Sequence, residues 1–475
     1  MKFTVDRDAL GEAVTWVARA LPTRPVLPVL AGLLLRAERE DHNQPGGNGP
    51  GFLTLSCFDY EVSARMQVAA EVTEPGTFLV PGRLLVEIVR SLPAAPVEFG
   101  DDPDGISVTC GRASFAVATL PSAEYPELPD LPQLAGTADG GVLATAIGQV
   151  TPAASRDDTL PMLTAVNVEL DGETMTLAAT DRYRLAVRDL AWNPAPGFAD
   201  HGRVALLVPA KTLSDAAKMM SAESEVRIML RPSGAGKGAT APAEAGAAEA
   251  VIGFEAGQRQ LTARLLAGEF IRYRSRFPEE FACTADLPAE AFAEAVRRVA
   301  LVAERGTPVQ LTFAPGRVTV GAATQGQARA RESVPADFTG DEPSIAFSPH
   351  YLLDGVIAAA ATPPGSAAAA GGHPTGGRAA GGGGGSAAGE TTAGGDERAA
   401  ASGRVRLWFS SASKPAVISS QPDPDSDAKQ AEGDYRYLVV PQRVARLFAG
   451  VKGRGRNRRR CRSGSGPRAG RTAGR

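Results

Sequence analysis

The run LAATDRYRLAV, from Leu177 to Val187, places three charges within four residues. Asp181, Arg182 and Arg184 surround a tyrosine in the middle of an apolar, strand-like pattern. Side chains of these types form ion pairs and hydrogen bonds, which a buried strand does not need. The pattern therefore predicts either a surface hairpin or the polar rim of a binding groove.

Two other runs contain residue types found in enzyme sites, but each lacks residues that the corresponding motif requires. GAGKGAT (234–240) is similar to a phosphate loop, but Gly238 stands where a serine or threonine would coordinate magnesium. DPDSDAKQAEGD (423–434) is similar to a calcium loop, but it has Ala428 for glycine and Asp434 for glutamate. The sequence contains no nucleophile elbow. We expect a non-catalytic protein without a cofactor.

The possible metal ligands are scattered along the chain. The cysteines and histidines are Cys57, Cys110, Cys283, Cys461, His42, His201, His350 and His373. A zinc site or a disulfide framework requires paired, closely spaced ligands. We expect no metal site, and we expect the first three cysteines to be small buried apolar residues.

Length and composition indicate a soluble protein of two to four domains. Of the 475 residues, 43 % are apolar and 22 % are charged, as is typical of globular chains. No run of about 18 uncharged apolar residues occurs, so no segment is predicted to span a bilayer. Asp6, Arg7, Asp8 and Glu12 interrupt the region where a secretory signal needs an apolar core. We expect no membrane contact and a cytoplasmic location.

The net charge of −3 is the sum of an acidic main part of the chain and a basic C-terminal segment. Residues 451–475 contain ten Lys or Arg and no acidic residue, so residues 1–450 carry a net charge of −13. A simple nucleic-acid-binding domain is basic over its folded part. If the folded part of this chain holds DNA, its positive charge must be concentrated on one surface.

Most of the chain consists of three copies of one pattern. Each copy opens with an amphipathic helix pattern, near Asp6, Val142 and Pro288, and continues with strand-like runs. A strand-to-helix junction containing proline follows: FLVPGRLLVEIVRSL, LLVPAKTLSDAAKMM and IAFSPHYLLDGVIAA. Proline suits the first turn of a helix, where no N–H is needed. Further strands complete each copy, so the pattern predicts an α+β fold whose sheets are covered on one side by helices.

This repeat divides the chain into three predicted domains, residues 1–134, 138–278 and 281–445. The second contains a low-complexity insertion at 232–250 and the third one at 363–403, and a basic tail occupies 446–475. Such compositions bury too little apolar surface to offset the chain entropy lost on folding. We therefore expect these three segments to be disordered.

Five motifs, in this order, resemble the bacterial beta sliding clamps, the processivity subunits of replicative DNA polymerases. They are RPVLPVLAGLLL from Arg24, TLPSAEYPELP from Thr119, RDDTLPMLTAVNVEL from Arg156, ATDRYRLAV from Ala179 and DYRYLVVP from Asp434. The resemblance implies three tandem DNA-clamp domains, with helices inside and antiparallel sheets outside. It also implies a head-to-tail homodimer that encloses duplex DNA, because heterologous contacts close into a ring when the rotation fits.

Such a ring slides on DNA if its contacts are with phosphate, individually weak and independent of base sequence. Lysines and arginines on the inner helices supply contacts of this kind. The predicted DNA-binding residues are Arg24, Arg83, Arg90, Lys211, Lys218, Arg297 and Arg298. Arg24 is the strongest single candidate because it lies in the first matched motif.

The resemblance also implies a hydrophobic groove on the second domain, where the polymerase catalytic subunit and the clamp loader insert short peptides. The groove residues carried over by motif are Leu163, Thr180, Tyr183, Arg184, Leu185, Ile271, Leu438, Val440 and Pro441. The charged middle of the run 177–187 then forms a turn at the rim, and the apolar residues beside it form the floor. A few buried apolar anchors supply most of the binding energy in such grooves.

The sequence departs from the family pattern at the groove and at its end. Ile271 stands where the family usually has proline, and Arg276 stands where it usually has an apolar residue. The chain also continues for about thirty residues beyond VVPQRV. These departures lead to the hypothesis of a divergent second copy of the clamp with altered partner affinity. The alternative function is a non-encircling DNA-binding protein that uses its basic tail, with the repeats as scaffold.

Overall fold

The structure is a computed structural model. It describes residues 1–39, 49–198, 202–220, 223–230, 250–304, 306–324, 327–341, 344–361, 403–420 and 435–442. The predicted basic tail and nearly all of both predicted insertions lie outside the described residues. None of the helices described is both long enough and apolar enough to cross a membrane.

The described residues form three successive units of similar architecture. The first contains β1 (Lys2–Val5), α1 (Arg7–Val17), β2 (Gly32–Arg39), β3 (Gly49–Phe58), β4 (Val62–Glu74), β5 (Gly76–Pro81), α2 (Gly82–Ser91), β6 (Val97–Asp102), β7 (Gly105–Cys110) and β8 (Ala113–Val117). The second contains β9 (Gln133–Ala138), α3 (Gly140–Val150), β10 (Ala165–Asp171), β11 (Thr174–Thr180), β12 (Arg184–Ala191), β13 (Asn193–Pro194), β14 (Val204–Pro209), α4 (Ala210–Met220), β15 (Val226–Leu230), β16 (Val251–Ala256) and β17 (Arg259–Arg264). The third contains β18 (Cys283–Pro288), α5 (Ala289–Ala300), β19 (Val309–Ala314), β20 (Arg317–Thr324), β21 (Ala328–Pro335), β22 (Asp337–Thr339), β23 (Ser344–Phe347), α6 (Pro349–Ala360), β24 (Arg404–Phe409), β25 (Ala416–Ser420) and β26 (Tyr435–Val439).

The six α-helices in the described part of the chain begin within about two residues of the predicted starts. The Asp6 carboxylate accepts hydrogen bonds from the backbone N–H groups of Asp8 and Ala9, at 3.0 and 2.9 Å, and so caps α1. At the predicted junctions, β5 and β14 end on proline with a helix starting at the next residue, and α6 itself starts on Pro349. Proline does not disturb these positions because the first turn of a helix leaves its N–H groups unpaired.

The helices cover one face of the sheets. They pack in pairs within each unit, α1 with α2, α3 with α4 and α5 with α6. Apolar side chains from these helices and from one face of the strands form a single buried cluster that runs through all three units and includes Phe3, Phe292 and Tyr437. Cys57, Cys110 and Cys283 are buried free thiols, as predicted.

Antiparallel strand pairing joins neighbouring units. Strand β4 of the first unit pairs with β17 of the second, and β12 of the second pairs with β26 of the third. The first joint lies in a 13-stranded sheet and the second in a 9-stranded sheet. In the part of the chain that the structure describes, β8 and β21 each pair with another strand on one side only. These joints determine where a site shared by two units can form.

Two helical glycines give a stability test of this packing. A Cβ at Gly355 in α6 would lie 2.4 Å from the Tyr437 ring, whereas a Cβ at Gly148 in α3 would meet nothing within 4 Å. Gly355→Ala is expected to lower the free energy of unfolding by about 2 kcal/mol through overpacking. Gly148→Ala is expected to raise it by about 0.5 kcal/mol, since alanine is the better helix former. Denaturant unfolding of both variants measures the difference, and equal effects would contradict it.

Candidate functional site

The charged run forms a tight turn between β11 and β12. The Asp181 carboxylate accepts hydrogen bonds from the backbone N–H groups of Tyr183 and Arg184, both at 3.0 Å. Arg182 adopts a positive φ of 80°, which is uncommon for a residue with a side chain. The hairpin and the rim predicted from the sequence are therefore the same feature: a turn that presents polar groups at the end of a sheet.

An apolar row crosses four strands directly beside this turn. The register places Thr180 opposite Leu185, Leu185 opposite Leu438, and Leu438 opposite Val417. Because paired residues in neighbouring strands point to the same face of a sheet, all four side chains lie on the face away from the helices. Leu185, Leu438 and Val417 belong to a second buried apolar cluster, separate from the main core. We call this row the groove floor.

The segment that links the second and third units lies over the same face of the sheet. Tyr273 is buried in the second cluster, and Phe270, Phe277 and Phe281 pack against that cluster. The aromatic rings of Phe270 and Tyr273 contact edge to face, with centroids 6.0 Å apart. Residues 270–281 therefore form the wall of the groove, which we call the wall segment.

Most of the remaining predicted groove residues lie at its rim. Tyr183 is 55 % exposed and Ile271 is 37 % exposed, so both large side chains present apolar surface to solvent beside the groove. The backbone N–H of Val440 donates to the Tyr183 carbonyl at 2.9 Å, so Val440 and the following Pro441 lie next to the turn. Leu163 is buried in a 3₁₀ turn, Pro161–Leu163, that precedes β10.

Arg184 lies on the opposite face of the sheet from the groove floor. Its guanidinium forms ion pairs with Asp181 and with Asp354 of α6, and it stacks over the Tyr351 ring at 4.5 Å. Burial lowers the pKa of this guanidinium, but Tyr437 and the two carboxylates outweigh burial and hold its pKa above the usual value. Arg184 therefore fixes the turn to α6 from the helix side, while Leu185 faces the groove.

Comparison with known proteins decides what this arrangement belongs to. Models of the DNA polymerase III beta subunit match residues 1–129 as its N-terminal domain, 138–271 as its central domain and 274–362 as its C-terminal domain. A "Beta sliding clamp" from Streptomyces coelicolor is 43 % identical over 445 residues, covering 94 % of this chain and 100 % of that protein. The chain belongs to the bacterial beta sliding clamp family.

Other relatives agree with this assignment. A beta sliding clamp from Micrococcus luteus is 46 % identical over 336 residues, covering 70 % of this chain and 99 % of that protein. Solved clamps from Bacillus subtilis and Pseudomonas aeruginosa, the latter bound to griselimycin, both superpose with a TM-score of 0.71. These structures are 22 % and 24 % identical, cover 94 % of this chain and 99 % and 100 % of their own, and show the shared clamp fold. The predicted fold and the predicted sliding-clamp function are confirmed.

Among the described residues, the strand arrangement of the groove occurs at both joints between units, but the floor is apolar at only one of these two joints. At the joint between the first and second units, the equivalent row is Phe58, Ser63, Thr262 and Gly253. The Ser63 and Thr262 hydroxyls are hydrogen-bonded at 2.6 Å where the other joint has Leu185 and Leu438. The equivalent turn is also conserved in geometry, since Tyr60 has a φ of 74°. Joining two units therefore does not require an apolar floor, which supports a binding role for the second joint.

Six of the seven predicted DNA-binding residues of the clamp lie exposed on helices, and Arg24 lies exposed in the loop after α1. Arg83 and Arg90 are on α2, Lys211 and Lys218 on α4, and Arg297 and Arg298 on α5. Several of them already have partners within the chain. Lys218 pairs with Asp215, and Arg298 pairs with both Glu294 and Glu332. Arg83 donates to the Pro22 carbonyl at 3.4 Å. The ion pairs of Lys218 and Arg298 neutralise part of the positive charge on α4 and α5.

Several contributors to the groove were not predicted from the sequence. They are Ala178, Val187, Tyr273 and Val417 in the second cluster and Glu169 beneath the wall segment. Val187 is two residues after Leu185 and shares its face, so strand alternation alone could have indicated it. Tyr273 and Glu169 carry no comparable signal. Among the residues described, no group of His, Cys, Asp and Glu is arranged to hold a metal ion.

Proposed function

We propose that this clamp encircles duplex DNA as a head-to-tail homodimer and tethers the polymerase catalytic subunit through the groove. The groove floor also suits peptides of the clamp loader and other partners, because it offers a short apolar row beside a polar turn. The observation that carries the ring is that, among the described residues, β21 and β8 each have one edge without a paired strand. Since its partner is DNA, we propose that the clamp acts in the bacterial cytoplasm.

The strands at these edges are the counterparts of those that join the units. Ala323 lies opposite Arg329 in the pairing of β20 with β21, just as Thr180 lies opposite Leu185. Strand β21 is thus the third copy of β4 and β12. Likewise, Leu120 after β8 bridges to Leu79 as Leu266 after β17 bridges to Leu207. Strand β8 is thus the third copy of β17 and β26.

The internal joints therefore predict the register of a joint between two protomers. Leu185 lies opposite Leu438 at the second joint, and the counterparts of these two residues are Arg329 and Ala116. We propose that Arg329 of one protomer lies opposite Ala116 of the other. Two such joints close a ring with six equivalent units and leave β8 and β21 no free edge. The helices of each unit then line the hole, where exposed lysines and arginines meet phosphate without reading bases.

Cysteine cross-linking tests this register. A chain carrying Ala116→Cys and Arg329→Cys, with Cys461→Ser to remove the thiol of the basic tail, is expected to form a disulfide-linked dimer upon mild oxidation. Residues directly opposite in paired strands have the Cα separation that a disulfide requires. The remaining cysteines are buried and do not compete. Non-reducing electrophoresis measures the product.

Two controls separate a specific joint from random collision. Each single cysteine variant is expected to stay unlinked, and the pair Ala116→Cys with Arg331→Cys, two residues out of register, is expected to link at least about tenfold more slowly. Equal rates for the two pairs, or a monomer in sedimentation, would contradict the proposed ring.

Ile271 and Arg276 support the proposal of a divergent clamp copy with altered partner affinity. Both side chains are exposed, and Arg276 ends a 3₁₀ turn, Arg274–Arg276, in the wall segment. The positive charge of Arg276 favours acidic peptides over neutral ones.

A further inference from the structure

Glu169 is a buried carboxylate beneath the wall segment. It is 6 % exposed and lies on β10, where Val166, Val168 and Leu170 face the main core. Side chains alternate along a strand, so Glu169 points to the opposite face, the face of the groove. A buried carboxylate is costly unless several donors satisfy it.

Four donors satisfy Glu169. It accepts hydrogen bonds from the Asn167 amide at 3.0 Å, the Arg203 guanidinium at 2.6 Å, the Arg274 guanidinium at 2.9 Å and the Tyr273 hydroxyl at 3.1 Å. Burial raises the pKa of the Glu169 carboxyl, but Arg274 and Arg203 outweigh burial and hold the pKa below its usual value. The carboxylate is therefore charged and fully engaged, and two of its donors belong to the wall segment.

Among the described residues, polar contacts hold the start of the wall segment, whereas its later part is held by several contacts, including the packing of Phe281 on Trp408 of β24. Glu169 holds Tyr273 and Arg274, while Arg436 of β26 lies over the Phe277 ring, 5.4 Å from its centroid. Arg436 is itself paired with Asp189. These later contacts do not hold the start of the segment, so the part with Phe270, Ile271 and Tyr273 depends on Glu169.

We propose that Glu169 is a positioning residue of the groove, which fixes the Tyr273 ring against Leu185 and Leu438 and so holds the wall in its binding shape. This inference rests on the proposed function of the groove. A wall that is fixed before binding costs less entropy to order when a peptide enters. Glu169 touches no peptide in this arrangement, because Tyr273 and the wall segment lie over it.

The test compares Glu169→Gln with Glu255→Gln as a matched control. Glu255 also lies on a strand of the second unit and accepts hydrogen bonds from an arginine, Arg227, and from Gln260, but it faces the other joint. The probe is the strongest binder from an array of overlapping peptides of the host polymerase catalytic subunit, measured by calorimetry. Glu169→Gln is expected to weaken binding about tenfold, as loss of one charge-assisted contact from a preformed wall implies. Glu255→Gln is expected to change it less than about twofold.

A spectroscopic signal separates positioning from a general loss of stability. In fluorotyrosine-labelled clamp, the ¹⁹F resonance of Tyr273 is assigned by its disappearance in Tyr273→Phe. The chemical shift of this resonance is expected to change in Glu169→Gln and to stay the same in Glu255→Gln. Tyr273→Phe, which keeps the ring and loses the hydroxyl, is expected to weaken peptide binding by about threefold.

The outcomes distinguish the two proposals. If no peptide of the array binds the unchanged clamp, the proposed groove is overturned and this inference falls with it. If the unchanged clamp binds but Glu169→Gln keeps its affinity or its Tyr273 resonance, only the inference is overturned. An equal loss in Glu255→Gln would also overturn the inference, because the effect would then be one of overall stability.

Discussion

Linearising a circular plasmid is expected to release the loaded clamp, and this is the largest effect that we predict. The clamp is loaded onto nicked circles by a clamp loader, washed at about 1 M salt and then treated with a restriction enzyme. Phosphate contacts are screened within about 3 Å at this salt concentration, whereas topological linkage is not affected by salt. More than about nine-tenths of the clamp should stay on intact circles, and nearly all of it should leave linear DNA. Gel filtration of labelled clamp with plasmid measures the retained fraction.

A shortened chain that ends at Gln442 is the control for the basic tail. Residues 443–475 include all ten basic residues of the tail segment 451–475, so their removal eliminates any binding that depends on them. The shortened clamp is expected to be retained on circles as the full chain is. Salt-sensitive binding that ignores DNA ends, and that disappears with the tail, would favour the non-encircling alternative and would contradict the ring.

The fold of the clamp could be predicted largely from local signals. Proline at the junctions, as at Pro81 and Pro209, fixed the starts of the second helix in each of the first two units, because proline tolerates only the first helical turn. The spacing of apolar residues predicted the other helices. Asp59 and Asp181 occupy equivalent turns in the first two units, and in both cases the carboxylate caps two backbone N–H groups.

The candidate site was less predictable because it depends on which face each side chain occupies. Arg184 and Leu185 are neighbours in the sequence, yet the strand places one against α6 and the other in the groove. The floor also brings together Leu185, Val417 and Leu438, which are distant in sequence. Only pairing between strands of two units establishes that row, and no local pattern encodes long-range register. Glu169 was missed for a related reason: two of its four donors, Tyr273 and Arg274, come from a segment about a hundred residues later.

Substituting the two leucines of the groove floor with the polar residues found at the other joint is expected to abolish peptide binding. The double variant Leu185→Ser with Leu438→Thr reproduces the Ser63 and Thr262 pair, which occupies the equivalent positions at the joint between the first and second units. The strand pairing should therefore survive, because hydroxyls at these positions can bond to each other as they do at the first joint. Leu185 and Leu438 are already buried in the second cluster with Tyr273, so their loss removes the apolar packing that shapes the floor and the wall, at about 1.5–3 kcal/mol for each leucine. The loss of both predicts at least about a hundredfold weaker binding.

The control at the other joint is Ser63→Ala with Thr262→Val, which removes the two hydroxyls of that joint and keeps side chains of similar size. It should leave peptide affinity and polymerase processivity unchanged, whereas the groove variant should lose both while it still stays on circular DNA. That combination would separate tethering from encircling, since the proposed ring is closed by β8 and β21, whereas the groove floor includes residues of β12 and β26. Retained processivity in the groove variant would show that the polymerase docks elsewhere. Loss of retention on circles would show instead that the floor stabilises the ring, because Leu185 and Leu438 sit at the strand pair that joins two of its units.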